Sequence, residues 1–136
     1  MTVAGMMLDT KTLNLAGAIY HGSFGLALYA DGNAFADSGM SPVKYTADAE
    51  GPVGEFTARA FGGMMLAMGS VALFEDALLC EGVTKMFAIG MALFSQILFK
   101  NIQAGEPSFK PMWKLQAFLH LPFTALMLFK AFGNKD

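Results

Sequence analysis

The chain is short of the residues that carry most enzyme chemistry. It has one cysteine, Cys80, in 136 residues. No intramolecular disulfide can form, and no thiolate metal cluster can be built. Cys80 sits in Leu78-Leu79-Cys80-Glu81 and reads as an inert, half-buried thiol. Charged residues are only 15% of the chain, against roughly 25% in an average soluble domain. The net charge is −2 with no basic cluster, which argues against a nucleic-acid partner. There is no His-Glu-x-x-His pattern, no glycine-rich phosphate loop and no nucleophile elbow. The adjacent carboxylates Glu75 and Asp76 would face different sides of a helix. With no catalytic motif and no convergent carboxylate pair, the chain is expected not to be an enzyme. The first nine residues also lack the basic start of a secretory signal. Targeting then falls to the first helix or to a presequence that has been removed.

What is abundant is apolar. Hydrophobic residues make up 54% of the chain, with 13 Phe and 11 Met, and mean hydropathy is +0.46. Disorder is excluded by that content. A single small domain with so little polar residue to cover its surface belongs in a membrane. The charges cut the chain into four uncharged stretches, 12–30, 60–74, 86–99 and 115–129. A spanning helix needs about 20 residues, so only the first qualifies by uncharged length. Arg59, Lys85, Lys100, Lys114 and Lys130 border the others, and their long stems extend each by about a turn. The pattern predicts spans at about 11–30, 55–77, 83–104 and 112–132. Phe87 to Phe94 are apolar on every side of the third helix, which disfavours a soluble bundle. The connection 31–54 is long, acidic and broken by Gly and Pro, and 105–111 is a breaker-rich turn. Short joins favour antiparallel neighbours, so the expected fold is all-α, an integral-membrane up-down bundle of four transmembrane helices in one domain. Lysine and arginine divide four against five between the two sides, which sets no orientation.

Two histidines lie inside these spans. Gly17, His21 and Gly25 recur at i, i+4 and i+8 on one face of the first helix. One reading is a small-residue packing face with His21 hydrogen-bonded across it. The other makes His21 an axial ligand to a porphyrin-type metal, with the glycines leaving room for a planar ring. Gln116, His120 and Thr124 form a polar stripe on the fourth helix, with Pro122 nearby. They read either as an interhelical hydrogen-bonded seam or as a cofactor ligand or quinone lining. Gln96 and Gln103 share a face of the third helix and are expected to join that seam. Gln96 is also a candidate ligand for the magnesium of chlorophyll. Glu55 and Arg59, four apart, predict an interfacial ion pair. The methionines read as adaptable packing rather than a copper relay, and Trp113 as an interfacial anchor.

The layout of a glycine-rich first helix, an irregular polar loop and a second helix opening Glu55-Phe56-Thr57-Ala58-Arg59-Ala60-Phe61-Gly62 is similar to the small four-span DoxX-like membrane proteins. That resemblance implies a protein assisting a redox enzyme through a quinone or haem. The Ala/Gly/Met/Phe-rich helices with short polar joins resemble accessory subunits of algal photosystem–antenna supercomplexes. That second resemblance implies a non-catalytic subunit of a larger complex in the plastid thylakoid membrane. Such a subunit would mediate contacts between larger subunits and bind chlorophyll and carotenoid. On it, His21, His120 and Gln96 are the pigment ligands. The helix motif of light-harvesting chlorophyll proteins does not match, because Thr57 stands where their ligand would be and the Glu–Arg pair is one residue closer.

Overall fold

A computed structural model describes residues 9–34, 51–104 and 112–133. These residues are helical and contain no strand. Four long helices form: α1 (Thr10–Ala30), α2 (Pro52–Gly69), α3 (Glu81–Ala104) and α4 (Met112–Phe132). They match the four expected segments within a few residues at most ends. Local chemistry sets the starts. Asp9 caps α1, accepting from the backbone N–H of Thr12 at 3.1 Å and from its hydroxyl at 3.2 Å. Gly51 precedes Pro52 at the first position of α2, where a missing N–H costs nothing, and Glu55 lies in the first turn.

The second segment differs from its expected form. A continuous helix over 55–77 is not what the chain makes. The α-helix stops at Gly69, tightens to a 3₁₀ turn at Ser70–Leu73, and breaks at Phe74, whose backbone is extended. A single helical turn, Glu75–Leu78, then opens with two carboxylates, Glu75 and Asp76, that suit a helix N-terminus. The acidic pair therefore starts a new element rather than ending the old one.

Contacts between named residues fix the topology. Along α1 and α2, Lys11 meets Glu75, Gly22 meets Gly69 and Gly32 meets Glu55, so the two run antiparallel. Along α3 and α4, Met91 and Ser95 meet His120, and Leu98 and Ala117 share a small apolar cluster, again antiparallel. Asn14 meets Thr84 and Gly17 meets Phe87, so α1 runs parallel to α3. The result is an up-down arrangement with α1 at its centre. The main apolar cluster gathers Leu13, Ala18, Phe87, Ala88, Met91, Met127 and Ala131.

By length and composition, two helices suffice to cross a membrane: Pro52–Leu73, including the 3₁₀ turn, and Glu81–Lys100. Ala117–Phe132 is apolar but shorter. The first segment, expected to qualify unaided, is not among them. Uncharged is not the same as apolar: Thr10, Thr12, Asn14, Tyr20, His21 and Ser23 dilute its hydropathy.

Candidate functional site

Six polar side chains are buried among the described residues: Asn14, His21, Thr84, Ser95, His120 and Thr124. Five of them fall into two groups, each reaching α1, and His21 stands apart.

The first lies beside the α2–α3 connection. Asn14 is fully buried and donates from Nδ2 to the carbonyl oxygens of Leu78 at 2.8 Å and Cys80 at 3.1 Å. Its Oδ1 accepts from the Thr84 hydroxyl at 2.8 Å. The amide thus spends both ends on holding the connection and the start of α3 against α1. Sequence reasoning passed over Asn14. Its only signal was that it is the one carboxamide in the uncharged stretch 12–30.

The second group joins α1, α3 and α4 in the middle of the bundle. His120 Nε2 lies 3.1 Å from the Met91 carbonyl and 3.1 Å from Ser95 Oγ. A carbonyl only accepts, so Nε2 carries the proton. The Nδ1 atom is then the acceptor, and the Tyr20 hydroxyl donates to it at 3.0 Å. Ser95 Oγ donates to the Met91 carbonyl at 2.8 Å, and Thr124 Oγ1 to the His120 carbonyl at 2.8 Å. The expected seam at His120 and Thr124 is therefore present, with Tyr20 and Ser95 as partners that the sequence did not single out.

His21 behaves differently. It is 6% exposed, and its Nδ1 donates to the Gly17 carbonyl one turn earlier at 2.8 Å. That bond leaves the lone pair on Nε2. No donor among the described residues reaches Nε2. The imidazole stacks on Phe87, with ring centroids 5.0 Å apart and planes 21° apart.

These geometries separate the candidate ligands. In this arrangement His120 has no nitrogen lone pair left for a metal, because one is protonated and the other accepts from Tyr20. His120 here is a hydrogen-bonded link between α1, α3 and α4. His21 retains a lone pair, but the glycines flanking it do not open space for a planar ring. A Cβ at Gly17 would lie 2.9 Å from the Phe87 ring and 3.0 Å from the Met127 methyl. One at Gly25 would lie 2.8 Å from both the Gly62 carbonyl oxygen and the Leu66 Cα. Both notches are filled by the chain itself. Gln96 and Gln103 are exposed, not in the seam, and Ser95 takes the inward place. The side chains of Gln116 and Trp113 lie outside the described residues.

The expected Glu55–Arg59 pair forms, with Arg59 Nη2 2.9 Å from Glu55 Oε1. Arg59 also donates to the carbonyl oxygens of Tyr29 at 3.0 Å and Ala30 at 2.8 Å. It thereby satisfies the last turn of α1, where orphan carbonyls and the helix dipole both favour a cation. Among the described residues no three of His, Cys, Asp or Glu gather as a metal site. No family model matches the chain, and no curated protein or solved structure matches it either.

Proposed function

We propose that all four helices cross a lipid bilayer and that the chain is a small non-catalytic subunit of a larger membrane complex, holding larger subunits in contact. One observation carries this reading: polarity is distributed inside out. Asn14 and His120 are 0% and 2% exposed, while Phe56, Leu73, Phe118 and Phe129 are 73%, 80%, 72% and 65% exposed. Each helix shows an apolar exterior of this kind: Leu15, Ile19 and Leu26 on α1, Phe61 and Met64 on α2, Ile89, Leu93 and Ile97 on α3, Phe118, Leu119 and Phe129 on α4. In water, each such large side chain would forgo about 1.5–3 kcal/mol of burial. In a bilayer the same surface is matched to its solvent, and the interior polar groups pair with one another.

The setting proposed is the photosystem–antenna supercomplex of an algal thylakoid, which the composition and layout resemble. Chlorophyll and carotenoid then belong at the apolar exterior, shared with neighbouring subunits, because the interior is filled. The inward network supports a non-catalytic role, since its hydrogen bonds tie helix to helix.

The test is purification from the native membrane in mild detergent, followed by an absorption spectrum, pigment extraction and identification of what comigrates. Red chlorophyll absorbance together with large photosystem subunits is the expected result. A colourless protein without such partners overturns the photosynthetic setting. Haem bands, or a quinone in the extract, would instead support the DoxX-like reading of a helper to a redox enzyme.

A further inference from the structure

We propose that the connection between α2 and α3 lies in the headgroup–acyl boundary of the bilayer, with Leu73, Phe74 and Leu79 set into lipid. The proposal rests on the membrane reading above and adds the depth of this connection. A turn between two spanning helices would ordinarily stand in water. Two observations argue against that here.

The first is the surface of the connection. Leu73, Phe74 and Leu79 are 80%, 63% and 58% exposed. Glu75, Asp76 and Glu81 are exposed beside them in the chain. Water leaves three large apolar side chains unmatched, and the acyl core leaves three carboxylates unmatched. The boundary between headgroup and acyl chain accepts both kinds at once. Lys11 Nζ, 3.1 Å from Glu75 Oε1, offsets one of the three charges. Exposed apolar residues also lie on either side in the chain, Met64 on α2 and Met86 and Ile89 on α3.

The second is how the backbone is satisfied. Water serves an exposed carbonyl oxygen without help from the protein. Lipid does not, so non-helical backbone at membrane depth takes its partners from the protein. Here a fully buried carboxamide supplies them. Asn14 Nδ2 donates to the carbonyl oxygens of Leu78 and Cys80. Within the turn, the N–H of Phe74 donates to the Val71 carbonyl at 3.0 Å, that of Ala77 to Phe74 at 3.0 Å, and that of Cys80 to Ala77 at 3.1 Å. The broken segment thus meets these needs from inside the protein, as a place with little water requires.

The chain carries its own probe. Cys80 is its one cysteine and is exposed, so a nitroxide attaches there without substitution. The full chain is reconstituted in phosphatidylcholine vesicles. Power-saturation electron paramagnetic resonance then compares collisions with oxygen, which partitions into lipid, and with a water-soluble nickel chelate. A second label at Ser23→Cys, made with Cys80→Ser, reports the exposed side of α1 within its span. Nickel collisions at Cys80 are expected several-fold below those of a nitroxide in buffer, with Ser23→Cys shielded further. Leu73→Ser combined with Leu79→Ser alters only exposed positions and should leave the helical circular dichroism unchanged. It should move the Cys80 label toward water and raise its nickel collisions. A Cys80 label that collides like the free one beside a shielded Ser23→Cys overturns the proposal and spares the four-span reading. Full access of the chelate to both labels overturns the membrane reading and this proposal with it. A Cys80 label unmoved by the serine pair overturns the anchoring by Leu73 and Leu79.

Discussion

The two sides of α1 are held by opposite means. Toward α2 the contact is backbone on backbone. Gly22 faces Gly69, and Gly25 nests against Gly62 and Leu66. The buried residues of α2 are two glycines, Gly62 and Gly69, so it contributes almost no side chain to the core. Toward α3 and α4 the contact is made by side chains: Asn14 to Thr84, Tyr20 to His120, and His21 on Phe87. The glycine side depends on the absence of atoms, and the polar side on their presence. Where lipid is as apolar as the helices, both are workable, since close packing and interhelical hydrogen bonds replace the hydrophobic drive. They fail differently. A glycine contact tolerates nothing added, while a hydrogen-bonded contact tolerates loss in proportion to what is left unpaired.

The largest effect is expected on the glycine side. Gly25→Leu puts a side chain where the Gly62 carbonyl oxygen and Leu66 Cα already lie. Backbone cannot yield as a flexible side chain does, so the cost is about 3 kcal/mol or more. Unfolding in mixed detergent should show that loss, and amide exchange should show α2 deprotected while α3 and α4 keep their protection. Equal deprotection of all four helices would mean that the two sides are not separable. Asn14→Leu comes next. It leaves the Leu78 and Cys80 carbonyl oxygens and the Thr84 hydroxyl without this partner, at about 2 kcal/mol. Its unfolding midpoint should fall between those of Gly25→Leu and the wild type. Tyr20→Phe takes the donor from His120 Nδ1 and should cost about 1 kcal/mol, the usual net contribution of one hydrogen bond. Paired with His120→Ala in a double-mutant cycle, it should show a measurable coupling. Lys11→Ala removes an ion pair with Glu75 whose side chains are 45% and 80% exposed. Under about 1 kcal/mol is expected, shrinking further in high salt.

Much of the fold was legible because charge punctuates the chain. Asp31, Lys85, Lys100 and Lys130 stand near helix ends or about one turn inside them, and Arg59 about two turns inside α2, so reading between them located four helices. The break at Phe74 was hidden, because an extended residue there leaves no glycine or proline as a sign. The His120–Thr124 stripe was visible as polar residues four apart. Its partner on α3 was misread. Gln96 is the more conspicuous polar residue, but neighbouring positions on a helix are about 100° apart. The inward position is that of Ser95, whose short hydroxyl also reaches the Met91 carbonyl one turn back. The glycine stripe of α1 read as either a packing face or a ring site, and the sequence alone did not choose between them. Whether a notch receives a cofactor or another helix depends on contacts some 40 residues away in sequence. Gly25 and Gly62 are both plain in the sequence, and only the folded chain joins them.

Asn14 has one more consequence, in the order of synthesis. Its acceptors lie 64 and 66 residues later in the chain. On the four-span reading, a chain made from its N-terminus sets α1 in the bilayer with a carboxamide that nothing yet satisfies. That debt lasts through the long loop and all of α2, and is cleared only as Leu78, Cys80 and Thr84 arrive. The same residue that ties down a connection in the finished protein therefore marks the unfinished one. A chain halted before Cys80 would show the membrane an exposed amide, and a completed chain would not.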